Sequence, residues 1–132
     1  MFAGKSKPIA VERRAIARRT VTLRLPMPPA EARDWGGGRS RAEERWREAA
    51  GQRVRNLRAR ILGPVEIIMV FDEKKRQQRL GALSNPILEL LARYGVIDAL
   101  SPVIVRRLTL AWGVGEGVVV EIGSARTAIG GA

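Results

Sequence analysis

The segment Val65-Glu66-Ile67-Ile68-Met69-Val70-Phe71 is the strongest constraint in the chain. It is a nearly continuous apolar run, opened by Gly63-Pro64 and closed by Asp72-Glu73-Lys74-Lys75-Arg76-Gln77-Gln78-Arg79. A run of this kind reads as a central strand covered on at least one face. A fold that buries it must set other strands beside it and helices over it. After the basic turn, Ser84-Asn85-Pro86 reads as the opening of a helix, with Ser84 or Asn85 as the cap and Pro86 in the first turn. A buried strand that ends in a basic turn ahead of a helix is a good place to hold a phosphate backbone.

The flanking sequence supplies the partners for that strand. Thr20-Val21-Thr22-Leu23-Arg24-Leu25 alternates and reads as an earlier strand, ended by Pro26-Met27-Pro28-Pro29. Ser40 and Glu43 have capping-box spacing. Beyond them Ala42, Trp46, Ala50, Val54, Leu57 and Ile61 recur every three or four residues, the stripe of a helix of about five turns. Trp46 is expected to anchor that helix in the core. The other faces carry Arg41, Arg45, Arg47, Arg53, Arg55, Arg58 and Arg60. Glu43, Glu44 and Glu48 come early, the order the helix dipole favours.

The second helix buries Ile87, Leu88, Leu90, Leu91 and Tyr94 and ends at Gly95; Val96, Ile97 and Leu100 return to the core. Residues 102–112 read as a strand with Ile104, Leu108, Leu110 and Trp112 on one face, interrupted by Arg106. Gly113-Val114-Gly115-Glu116-Gly117 reads as a hairpin loop, and residues 118–122 as the returning antiparallel strand. The order β-α-β-α-β-β predicts an α+β domain, a mixed sheet with two helices, over residues 20–122. A basic arm, residues 1–19, precedes it, and a flexible tail, residues 123–132, follows. In the arm, residues 11–19 either form a short helix or stay disordered until binding. Trp35 adjoins Gly36-Gly37-Gly38, where burial and base stacking are both open; the glycines are either a hinge or a close approach to phosphate.

The chain of 132 residues has neither Cys nor His. That excludes disulfides, thiolate zinc sites, thiol nucleophiles and any Ser-His-Asp arrangement. Any metal must be a hard ion on oxygen ligands, with magnesium the expected one. The net charge is +11, and residues 1–60 hold 16 of the 24 basic residues but 6 of the 13 acids. Such a balance favours a polyanion, through phosphate neutralisation and counterion release. No apolar run approaches the roughly 18 residues of a membrane span. No secretory signal is evident, and a cytoplasmic location is expected.

Several short motifs, in order and spacing, resemble the RusA-type Holliday junction resolvases over about residues 20–122. Leu25-Pro26-Met27-Pro28-Pro29 is similar to the family's Leu-Pro-x-Pro-Pro. The strand into Asp72 and the basic run resembles its Pro-Asp-Arg-Arg-Arg-Arg. Tyr94-Gly95-Val96-Ile97 resembles the Ala-Gly-Val-Ile that ends its second helix. Ser101-Pro102-Val103 lies where the family has a small residue, Gln and Val. The resemblance implies a RusA-like fold and a dimeric, magnesium-dependent nuclease for four-way DNA junctions. It also implies metal-binding acids in Asp-Leu-Asp-Asn-x-x-Lys and in a later Asp-Asp pair. Here Arg79 and Gly81 stand for the first two aspartates, Asn85 for the lysine, and Ala99 and Leu100 for the acidic pair.

Magnesium-assisted cleavage needs converging carboxylates, and an Arg in place of an Asp repels the cation and attracts phosphate. The leading expectation is therefore a DNA-binding homodimer with degenerate catalysis, holding branched or duplex DNA through arginine-phosphate contacts, without a metal site. Lys74, Lys75, Arg76 and Arg79 grip the backbone. Arg53, Arg55, Arg58 and Arg60 of the first helix and Arg13, Arg14, Arg18 and Arg19 of the arm add to the interface. The alternative is an active endonuclease with a rearranged site, in which Asp72, Glu89 and Asp98 are the catalytic candidates and Mg2+ the cofactor. A third reading is a basic structural or assembly protein of a nucleoprotein complex.

Overall fold

The computed structural model of the chain describes residues 20–29 and 41–125. The arm with Arg13, Arg14, Arg18 and Arg19, the Trp35 and triple-glycine segment, the Ser40 cap and residues 126–132 lie outside the described residues. The elements are β1 (Thr20–Leu25), α1 (Arg41–Leu57), β2 (Val65–Asp72), α2 (Leu80–Arg93), β3 (Val105–Gly113) and β4 (Val118–Ser124). A single 3-10 turn, Glu73–Lys75, joins β2 to α2. The domain is α+β, a mixed four-stranded sheet with two helices. No described helix is long and apolar enough to cross a membrane.

The sheet runs β1-β4-β2-β3. β4 is antiparallel to both β1 and β2, whereas β3 is parallel to β2. The expected hairpin between β3 and β4 is therefore corrected: β2 lies between them. The apolar run of β2 gains most from two paired edges, so it takes the interior position. Phe71 pairs with Trp112 on one side and Val118 on the other. Residues 114–117 consequently bridge over the end of β2. That span presses Gly117 onto β1, where a Cβ would lie 2.5 Å from the Leu25 carbonyl oxygen, and its φ of 79° also favours glycine.

One face of the sheet is buried. Val21, Leu23 and Leu25 of β1, Val65, Ile67, Met69 and Phe71 of β2, and Val118, Val120 and Ile122 of β4 alternate inward. They form one core with Trp46, Ala50 and Val54 of α1 and Leu83, Ile87, Leu90 and Leu91 of α2. Each fully buried large side chain contributes about 1.5–3 kcal/mol of transfer energy. Trp46 is the anchor expected of it, with its indole N–H donated to the Pro26 carbonyl at 2.7 Å. The interruption at Arg106 has a geometric cause. Val65 pairs with Val105 but Glu66 pairs with Arg107, so Arg106 is the extra residue of a β-bulge. Beyond it Leu108, Leu110 and Trp112 face the core side opposite Ile67, Met69 and Phe71.

Four further expectations are corrected. α2 begins at Leu80, not at Ser84, and Pro86 lies inside it. The stripe Leu83, Ile87, Leu90 and Leu91 already begins a turn before the proline, and the carbonyl that loses its partner belongs to exposed Ala82. On α1, Glu43 is buried and Ala42 exposed, and Ile61 is buried beyond the helix. Leu100 faces solvent while Val96 and Ile97 are buried. β4 continues through Gly123 and Ser124, which pair with Thr20, Glu66 and Val65, and Ala125 is buried, so residues 123–125 belong to the folded domain and not to a flexible tail.

Candidate nucleic-acid interface

β2 delivers the basic turn to one end of the sheet. Asp72 is the last strand residue and is buried. Its Oδ1 accepts the Lys74 N–H at 3.0 Å, which closes the 3-10 turn as a local cap. The Arg76 N–H then bonds the Glu73 carbonyl at 3.2 Å and the Gln78 N–H the Lys75 carbonyl at 3.0 Å. These bonds fold the turn tightly enough to throw Lys74, Lys75, Arg76 and Arg79 outward, and all four are exposed. None of the four forms an ion pair with a described residue.

The turn leads directly into the N-terminus of α2. Arg79 occupies the cap position without a side-chain cap bond, and the first turn holds no acid. The opening N–H groups of a helix have no partner inside it and carry the positive end of its dipole. Cations and helix end therefore add to one positive field, with exposed Glu73 the acid beside it. Arg24 and Arg53 lie at the same end of the sheet. Arg24 Nη1 donates to the Glu116 carbonyl and Arg53 Nη1 to the Arg24 carbonyl, both at 3.2 Å.

The arginines late in α1 and just after it are engaged differently. Arg55 lies over the Tyr94 ring, 5.6 Å from its centroid. Arg58 follows the helix with a φ of 49°. Arg60 pairs with Asp98 at 3.2 Å. These residues are exposed, but Arg53, Arg55 and Arg60 already have partners within the fold.

The three candidate carboxylates do not converge. Asp72 caps its turn. Asp98 accepts the Gly63 N–H at 2.9 Å and the Arg60 guanidinium, and these bonds, the backbone one first, hold its pKa below the usual carboxylate value. Gly63 lies just before β2 and Asp72 ends it, so the length of the strand, about 23 Å at 3.3 Å per residue, separates the two acids. Glu89, partly exposed, pairs with Arg47. Among the described residues no group of three or more acids is placed to hold a metal ion.

Arg47 is the residue that the amphipathic pattern mistook for part of a solvated face. Its side chain is 11% exposed and bonds Glu43, 2% exposed, at 3.0 Å and Glu89, 43% exposed. Burial opposes the Arg47 charge, but the bonds to Glu89 and Glu43 and their charges outweigh it and raise its pKa. The i,i+4 spacing of Glu43 and Arg47 was a readable signal; the link to Glu89 depends on how the helices pack. One turn on, Gly51 of α1 meets the Tyr94 ring, where a Cβ would lie 3.2 Å from it. Against models of known families and against curated proteins, the chain has no match.

Proposed function

We propose that this chain is a RusA-like DNA-binding protein whose cutting site has been lost and whose former catalytic edge holds phosphate. The observation that carries the reading is the turn after β2. It sets four exposed cations, with no ion-pair partner among the described residues, ahead of an uncapped helix N-terminus. Phosphate oxygens satisfy both the guanidinium groups and the helix N–H donors, without regard to base sequence. The element order, two helices and a mixed sheet, agrees with the family resemblance. In that resemblance Arg79 and Gly81 occupy the places of metal-binding aspartates, and both sit at this helix end.

The three candidate carboxylates do not converge on one place for a divalent cation. Asp72 and Asp98 sit at opposite ends of β2, and Glu89 is held by Arg47. Arg79 would repel a cation placed at the start of α2. The protein is read as a homodimer that offers two such turns to the arms of a branched duplex.

The test is incubation of the full chain with a synthetic four-way junction and a linear duplex, with and without magnesium. Retarded complexes without paired nicks are expected. Lys75→Ala with Arg79→Ala should weaken both complexes without lowering the melting temperature. Magnesium-dependent symmetric incision, lost in Asp72→Asn or Asp98→Asn, would overturn the reading.

A further inference from the structure

β3 forms one side of the sheet, and from Arg106 to Gly113 its outer edge has no backbone partner among the described residues. Beside that edge, between β3 and α2, runs an apolar groove of about 500 Å³. Leu88 of α2, Leu100 and Pro102 of the connecting segment, and Val105 and Leu108 of β3 line it, with Glu89 among its polar residues. Large apolar side chains are exposed along the same stretch, Leu100 at 48%, Val103 at 69% and Leu108 at 37%. Open strand edges are usually blunted by proline, lysine or a bulge along their length. Here the bulge lies at the start, and residues 107–113 contain one charge, Arg107, and no proline.

A strand added to this edge would present alternate side chains to the two sides of the sheet. On the core side they would enter the groove, which takes apolar groups. On the open side they would lie beside Arg107 and Thr109, with exposed Arg106 at the bulge, which takes carboxylates. The charge of +11 and the two arginines on the open side attract such a segment. The geometry points to β3 and its groove as a docking edge for an extended segment of a partner protein that alternates apolar and acidic residues. Main-chain bonds along β3 hold it, and the groove selects its side chains. This site is separate from the basic turn and stands whether or not the chain binds DNA.

The probe is a synthetic peptide of about eight residues with Val and Glu alternating, compared with a peptide of equal composition in two blocks. Binding to the full chain is followed by fluorescence anisotropy, and its location by backbone hydrogen exchange. The alternating peptide should bind more tightly and slow exchange along residues 106–113. Leu108→Glu, Leu100→Glu and Arg107→Glu should each weaken it by about tenfold or more with an unchanged melting temperature. Lys75→Ala with Arg79→Ala should leave it unchanged. Equal binding of the block peptide, or protection confined to residues 73–79 or to α1, would overturn the proposal. So would no binding, or slow exchange along residues 106–113 already present without the peptide.

Discussion

α1 and the turn after β2 are both rich in cations, and they use them in opposite ways. On α1, Arg47 is nearly buried between two glutamates, Arg53 bonds the end of β1, and Arg55 covers Tyr94. In the turn, Lys74, Lys75, Arg76 and Arg79 pair with no described acid, and the one buried carboxylate, Asp72, bonds backbone. The density of arginine along a sequence therefore does not show which cations the fold leaves without an acidic partner among the described residues. A cation with satisfied donors inside the fold must give them up to hold a phosphate. A cation in water loses only hydration and gains counterion release.

If α1 is scaffold, damage to it should appear first as lost stability. Trp46→Ala removes a buried ring and its bond to Pro26, and should cost about 3–5 kcal/mol by denaturant unfolding. A variant of normal stability that had lost DNA affinity would instead make α1 a contact surface. Arg47→Ala breaks a largely buried ion pair with Glu43 and should cost about 3 kcal/mol. Glu89→Gln touches the exposed end of the same chain of bonds and should cost less than about 1 kcal/mol. Equal losses would show that the pair with Glu43 is not the one that matters.

Smaller effects bear on the end of α1. Arg58 adopts left-handed backbone just past the helix, where glycine is unstrained. Arg58→Gly should raise stability by about 1 kcal/mol, read by denaturant unfolding. The Asp98 carboxyl is more acidic in the fold than its ordinary 3.8. Its contribution is therefore complete above 3.8 and lost as pH falls through the lowered folded value. The gap in melting temperature between wild type and Asp98→Asn should be constant near neutrality and shrink in that acid range. A gap that grew on acidification would contradict the bonding from Gly63 and Arg60.

Much of this scaffold was legible because periodicity is local. The alternation in residues 20–25, the apolar run of β2 and the position of Trp46 follow from spacing alone. Strand order was not legible, since alternation says which face a residue takes and not which strand lies beside it. Hence residues 113–117 read as a hairpin although β2 intervenes. Pro86 read as a helix start because its sequence signal is the same inside the helix when the lost carbonyl partner faces water. The burial of Glu43 and the pairing of Glu89 depend on Arg47, three residues on two helices, and no single stretch contains them. The basic turn was legible as a charge run, but that its cations have no described acid beside them required the fold.

The division between the two regions stands or falls on the slope of DNA affinity against salt concentration. Two variants of the full chain are compared with wild type on one duplex. The first replaces Lys74, Lys75, Arg76 and Arg79 by alanine, and the second replaces Arg53 and Arg55. The log-log slope should become shallower in the turn variant by about 0.9 for each phosphate that is no longer neutralised, and stay near the wild-type value in the α1 variant. A turn variant with the wild-type slope, or a larger change of slope in the α1 variant, would contradict the assignment of phosphate binding to the turn.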